Sequence, residues 1–82
     1  MIYKVFAIRD SKAEAYMPPF CMRTLGEMER TLTQMCSQPE HNFNKFAEDF
    51  TVFYLGTFDD QSCSYSLLDS PVSHGPLLNY KK

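Results

Sequence analysis

Cations and an aromatic side chain occur together within the first 23 residues of the chain, a combination that could bind a nucleic acid. The cations are Lys4, Arg9, Lys12 and Arg23, and Tyr16 lies among them. Proteins that bind single-stranded DNA stack bases on aromatic rings and follow the phosphates with Lys or Arg. Each stacked base contributes roughly 1–3 kcal/mol. These five residues are therefore our candidate nucleic-acid-binding site.

The same residue types also have a simpler structural interpretation. The chain contains seven Phe and five Tyr in 82 residues, and a sheet covered by a helix needs many such rings as core. The net charge of −2 argues against a general polyanion-binding protein. Residues 1–46 hold six Lys or Arg against five acids (+1), and residues 47–82 hold two Lys against five acids (−3). Both interpretations stay open on this basis.

Catalysis is not expected, because no nucleophile, base and orienting group form a recognisable set. His41 and His74 are isolated in polar, loop-like segments, and Cys63 with His74 lacks the spacing of a zinc site. The neighbouring carboxylates Asp59 and Asp60 are better explained as turn residues. We therefore predict a protein that is not an enzyme, with no metal ligands and no cofactor.

The length and cysteine content indicate a small intracellular domain. A chain of 82 residues forms one domain near the lower limit for a self-sufficient core. Its three cysteines are an odd number without a CxxC pair, which favours a reducing cytosol. No leader peptide or membrane-spanning run is expected. The surplus of aromatic residues favours a homodimer interface or a stacking surface over a self-contained monomer.

The first predicted elements are two strands joined by a tight turn. The segment IYKVFAIR at residues 2–9 is rich in β-branched and aromatic residues and predicts a strand covered on both faces. Asp10 and Ser11 have turn chemistry. A return strand over residues 14–20 is interrupted by Pro18-Pro19, so we expect it at an edge of the sheet.

A helix is predicted next, from a capping signal and an apolar stripe. Thr24 and Glu27 have the spacing of a capping box, and the helix should end near Ser37, before Pro39. The stripe comprises Leu25, Met28, Leu32, Met35 and Cys36.

The second half of the chain predicts two more strands and an irregular tail. A polar connection over residues 40–49, which could hold a short turn, leads to a strand over residues 50–58, with Phe50, Val52, Tyr54 and Phe58 on one face. After a turn, residues 63–68 form its partner. Pro71, Gly75 and Pro76 predict an irregular C-terminal tail over residues 69–82. The prediction is a single α+β domain over residues 1–68: a small antiparallel sheet with one helix packed across it, in the order β-β-α-β-β.

Two groups of residues resemble the small nonstructural protein of the Gokushovirinae, a subfamily of the Microviridae, which are single-stranded DNA phages. The first group is Asp10, Lys12, Ala13, Tyr16, Pro19 and Phe20, and the second is Glu48, Asp49, Phe50, Gly56, Phe58 and Asp59. Two departures stand out: Ala47 replaces the usual proline, and Gln61-Ser62-Cys63 replaces a Thr-Gly hairpin.

The resemblance implies a non-virion protein that binds DNA during the switch to single-stranded genome synthesis or packaging, in the cytoplasm of the infected bacterium. It brings no catalytic residues. A competing interpretation is an acidic protein-interaction module that binds a phage or host protein through a strand edge or through Pro18-Pro19-Phe20.

Overall fold

A five-stranded antiparallel sheet with one long helix across it forms the fold seen in the computed structural model, which describes residues 1–81. The strands are β1 (Ile2–Asp10), β2 (Ala15–Tyr16), β3 (Phe20–Met22), β4 (Phe50–Asp59) and β5 (Ser64–Pro76). The helices are α1 (Leu25–Cys36) and the short α2 (Asn42–Lys45), with 3₁₀ turns at Ala47–Asp49 and Leu77–Tyr80. The predicted α+β class is confirmed.

Strand β1 lies inside the sheet, between β4 on one side and the return strand on the other. The strand order is β2-β1-β4-β5, and β3 also pairs with β1. The return strand is split into β2 and β3 because Pro18 and Pro19, which have no N–H to donate, lie between them. Its predicted position at the edge of the sheet is confirmed.

Helix α1 begins and ends where its capping residues predict. The Thr24 side chain accepts a hydrogen bond from the Glu27 N–H at 3.0 Å. The Glu27 carboxylate accepts from the N–H of Arg23 at 3.2 Å, one residue earlier than in a standard capping box. Met28, Leu32 and Cys36 are buried and Leu25 and Met35 partly buried, so the predicted apolar stripe is confirmed.

The core lies between α1 and one face of the sheet. Its buried residues from the sheet are Phe6, Ile8, Phe50 and Val52, and from the helices and turns Met28, Leu32, Cys36, Phe43, Ala47 and Leu77. The connection over residues 40–49 is therefore more structured than predicted, because Phe43 and Ala47 are buried in this core. Phe43 belongs to the short α2, and Ala47 belongs to the first 3₁₀ turn.

A β-bulge in β4 reverses the faces of its second half. Val5 pairs with Gly56 but Phe6 pairs with Tyr54, so Leu55 is an extra residue opposite β1. Phe58 consequently pairs with Tyr3, on the face away from the helix. The prediction that Phe58 shares a face with Phe50, Val52 and Tyr54 was wrong, because one inserted residue moves every later side chain to the opposite face.

The predicted irregular tail is wrong for residues 69–80, and Lys82 lies outside the described residues. Strand β5 runs on to Pro76, and the 3₁₀ turn that follows places Leu77, which is fully buried, in the core. Proline is tolerated in β5 because an edge strand leaves alternate N–H groups unpaired. The pairing between β4 and β5 changes register along its length. These shifts accommodate the prolines and the glycine from which an irregular tail was predicted.

Candidate nucleic-acid interface

The side of the sheet opposite the core carries most of the aromatic residues that the core does not use. On β1 this side presents Tyr3, Val5, Ala7 and Arg9, whereas Phe6 and Ile8 point into the core. Helix α1, α2 and both 3₁₀ turns bury their residues in the core on the other side. We call the side with Tyr3 and Arg9 the open face.

At one end of the open face, two rings meet across the central strand. The rings of Tyr16 on β2 and Phe53 on β4 are 5.5 Å apart in an edge-to-face arrangement. Ala7 of β1 lies between those strands and pairs with Phe53, and its small side chain leaves room for the rings. Ala7 is buried. The helices and 3₁₀ turns that contribute to the core all lie on the other face of the sheet, so none of them covers Ala7.

Arg9 lies beside this ring pair. It pairs with Tyr16 on β2 and with Thr51 on β4, so its side chain projects from the same face as the Tyr16 ring. Tyr16 is 47% exposed. The structure thus brings two of the five predicted residues, Arg9 and Tyr16, together on an accessible surface.

A second aromatic group lies at the other end of the open face. Tyr3 pairs with Phe58, and the Phe58 ring centroid is 4.8 Å from that of Tyr65 on β5. Tyr65 is 58% exposed. Phe53, Phe58 and Tyr65 were not among the residues predicted for the site from the sequence. Strand alternation could have indicated Phe53, but the position of Phe58 depends on the bulge.

Lys4 lies on the other face of β1. Residues four and nine are an odd number of positions apart on a strand and so point to opposite faces. The Lys4 ammonium is 5.3 Å from the centroid of the Tyr54 ring, a cation–π contact. Lys4 therefore borders the helix side, near Leu25 and His74, and is not part of the open face.

Arg23 and Lys12 are also separated from the Arg9–Tyr16 pair. The Arg23 guanidinium forms an ion pair with Glu27 at 3.3 Å, beside the start of α1. Lys12 is exposed in the β1–β2 turn, where the Asp10 carboxylate accepts the Lys12 N–H at 2.9 Å. Its side chain borders a shallow cavity with Asp10 and Asp49 on the helix side. The cations thus do not form one continuous patch.

The histidines have structural roles. His41 caps α2, because its Nδ1 accepts the Phe43 N–H at 3.0 Å. The His74 ring packs edge-on against Phe6 and Tyr54. Across residues 1–81, no three His, Cys, Asp or Glu side chains are grouped as metal ligands would be. No helix in the same range is long and apolar enough to cross a membrane.

An apolar cavity of about 260 Å³ lies between the return strand and α1. Its walls include Met17, Pro18, Phe20 and Met22 from the return strand, and Met35 from the helix. Methionine side chains are flexible and adapt to differently shaped apolar groups. This cavity lies beside the Pro18-Pro19-Phe20 segment that the sequence analysis associated with protein binding.

Comparison with known families finds a match to the family described as "Phage ORF5 protein". It extends over residues 3–77, from the second residue of β1 to the first residue of the C-terminal 3₁₀ turn. No curated protein and no solved structure matches the chain.

Proposed function

This chain belongs to the phage ORF5 protein family, and from that premise we propose that it binds single-stranded DNA on the open face of its sheet. We propose a non-enzymatic accessory protein that acts in phage genome replication or packaging, in the cytoplasm of the infected bacterium. The resemblance to the Gokushovirinae protein, at residues such as Asp10, Tyr16 and Gly56, supports a phage with a single-stranded DNA genome.

The observation that carries the proposal is the aromatic surface around Arg9. Tyr16 and Phe53 form an edge-to-face pair next to the Arg9 side chain. Adjacent apolar side chains that form a contiguous accessible patch are typical of a binding surface. Bases stack on such rings, and a guanidinium can contact a phosphate or a base plane.

The charge distribution makes a specific prediction about salt. Of the four predicted cations, Arg9 alone lies on the open face. Lys12 is the predicted cation nearest to Arg9 in the sequence. One or two phosphate contacts give a slope of about −0.7 to −1.4 for log affinity against log salt. Five contacts would have given about −3.5. Binding should therefore depend more on stacking than on charge.

The test is fluorescence anisotropy of a labelled oligo-dT, titrated with the protein at several salt concentrations. Tyr16→Ala should lower the affinity by roughly 5- to 150-fold, the loss of one stacked base. Phe46→Ala is the matched control, because Phe46 is 50% exposed and lies at the end of α2, outside the sheet. It should leave the affinity unchanged.

A second pair of variants tests the cation. Arg9→Gln should weaken binding and reduce the salt slope by about 0.7, the value for one lost phosphate contact on a single strand. Arg30→Gln removes an equally charged, exposed side chain from α1 and should have no effect. No binding by the unmodified protein, or equal losses in Tyr16→Ala and Phe46→Ala, would reject the DNA-binding proposal.

The cavity between the return strand and α1 supports the alternative function, a module that binds a phage or host protein. Its apolar walls fit an apolar side chain of a partner rather than a nucleotide phosphate. Thr31 at its rim offers a test, since Thr31→Arg would partly fill the cavity from the helix side. Loss of partner binding in Thr31→Arg, with oligo-dT binding absent throughout, would favour this alternative.

A further inference from the structure

The outer edge of β5 is unprotected in its first half. Strand β5 ends the strand order, and within residues 1–81 no strand pairs with its outer side. Such an edge presents unpaired N–H and C=O groups, which soluble proteins usually protect with Lys, Pro or a very short strand. Strand β5 is 13 residues long, and residues 64–68, with the sequence SYSLL, contain no charge and no proline.

The side chains of this half-strand are apolar and exposed. Tyr65 is 58%, Leu67 61% and Leu68 43% exposed. Tyr65 and Leu67 pair with Phe58 and Gly56, which places them on the open face. A strand edge with unpaired N–H and C=O groups and with exposed apolar side chains beside it is a surface that binds another strand.

We propose that this surface binds a second copy of the same chain, with the two β5 strands antiparallel and centred on Ser66. The two sheets then become one continuous sheet, and the open faces of both copies lie on the same side. In this register Tyr65 of one copy lies opposite Leu67 of the other. The two Tyr65–Leu67 pairs flank the two-fold axis and cover each other's exposed apolar surface.

Charge allows this segment to pair with its own copy and favours one register. In a two-fold symmetric interface the same segment meets itself, so any charge near the axis meets its own copy. Residues 64–68 are neutral and can do this without repulsion. With Ser66 at the centre, residues 64–68 pair with residues 68–64 of the other copy, and Asp69 of each copy lies beyond this paired segment, so no two acids face each other. A register centred on Asp69 would place the two Asp69 carboxylates side by side, which is unfavourable.

The interface is small, so the dimer should dissociate on dilution. Five paired residues and three apolar side chains per copy bury less than the roughly 1,200–2,000 Å² of a stable, specific interface. Sedimentation velocity over a concentration series, without DNA, should therefore show a reversible monomer–dimer equilibrium. Because DNA is absent, failure of this experiment would not affect the DNA-binding proposal.

The first variant tests the apolar contact. Leu67→Lys places a charge beside the axis and should raise the dimer dissociation constant at least about tenfold. Leu67 is mostly exposed in the monomer, so the variant should fold, which circular dichroism checks. Leu78→Lys is the matched control: Leu78 is 50% exposed but lies in the 3₁₀ turn beyond β5, and its variant should dimerise normally.

The second variant tests the register. Directly opposite residues in antiparallel strands have Cα atoms about 4.5–5.5 Å apart, within the range that a disulfide needs. Ser66→Cys, in a background with Cys21→Ser and Cys63→Ser, should therefore cross-link rapidly on mild oxidation. Ser70→Cys is the control, because the two copies of residue 70 would be eight positions apart, roughly 26 Å.

Three results would overturn the proposal. The first is a chain that stays monomeric at every concentration. The edge of β5 would then not pair with a second copy and would be available only to a strand of another protein. The second is a dimer that Leu67→Lys does not weaken. The third is cross-linking of Ser70→Cys as fast as Ser66→Cys.

Discussion

Replacing Gly56 by alanine should remove most of the stability of this protein. Gly56 has φ +145°, a conformation that L side chains rarely adopt. A Cβ at this position would lie 2.2 Å from the carbonyl oxygen of Ser66 and 2.8 Å from the Cα of Leu67, both backbone atoms of β5. The clash cannot be relieved by rotating a side chain, so either the bulge or the β4–β5 pairing must change.

The expected cost follows from these two effects. Backbone strain in a sparsely populated region costs about 1–3 kcal/mol, and overpacking against a fixed neighbour adds typically about 1–3 kcal/mol. Gly56→Ala should therefore lower the free energy of unfolding by about 2–6 kcal/mol. A core of this size supplies roughly 3–5 kcal/mol of net stability, so the variant should be partly or fully unfolded at room temperature.

Urea unfolding, followed by circular dichroism, measures the effect, and Gly26→Ala provides the matched control. Gly26 lies in the first turn of α1, and a Cβ there would come no closer than 4.0 Å to the Thr24 hydroxyl. Alanine favours the helix over glycine by about 0.5–1 kcal/mol, so Gly26→Ala should be neutral or slightly stabilising. A Gly56→Ala variant within about 0.5 kcal/mol of the unmodified protein would refute the reasoning, because such a change is typical of an unconstrained surface site.

Three further predictions concern α1 and the cysteines. Thr24→Ala should lower the free energy of unfolding by about 1 kcal/mol, because the helix loses its N-cap. Thr33→Ala is the control and should not be destabilising, because alanine has a higher helix propensity than threonine. The midpoints of urea unfolding distinguish the two variants. Burial raises the pKa of the Cys36 thiol in the folded state above its usual value of 9.0. Above pH 9.0 the thiol therefore loses its proton more readily in the unfolded state than in the folded state. The free energy of unfolding should consequently fall as the pH rises past 9.0. At neutral pH a thiol reagent should modify the exposed Cys21 and Cys63 quickly and Cys36 only as the protein unfolds; equal rates for all three would contradict the buried position.

The helix and the turns could be predicted because their signals are local. Thr24 bonds the N–H three residues later, and Asp10 and Asp59 each accept an N–H two residues later, as their positions in the sequence indicated. Apolar residues three and four apart fixed the buried face of α1. Each of these interactions is complete within one or two turns of chain, so no knowledge of distant residues is required.

The candidate site could be predicted only in part. Strand alternation alone puts Lys4 and Arg9 on opposite faces of β1, as the structure shows. It could not show which face the helix would cover, and so it combined cations from both. Arg9 and Tyr16 remain together on the open face, whereas Lys4 contacts Tyr54 near the core.

By itself, the sequence determined the α+β class, the limits of α1 and the edge position of the proline-broken return strand. The tertiary structure decided the face of Phe58, the length of β5 and the burial of Leu77. The physical reason is that these last features depend on approaches between distant segments. Gly56 lies where the backbone of β5 passes within contact distance of it. Leu77 belongs to a core whose other residues come much earlier in the chain.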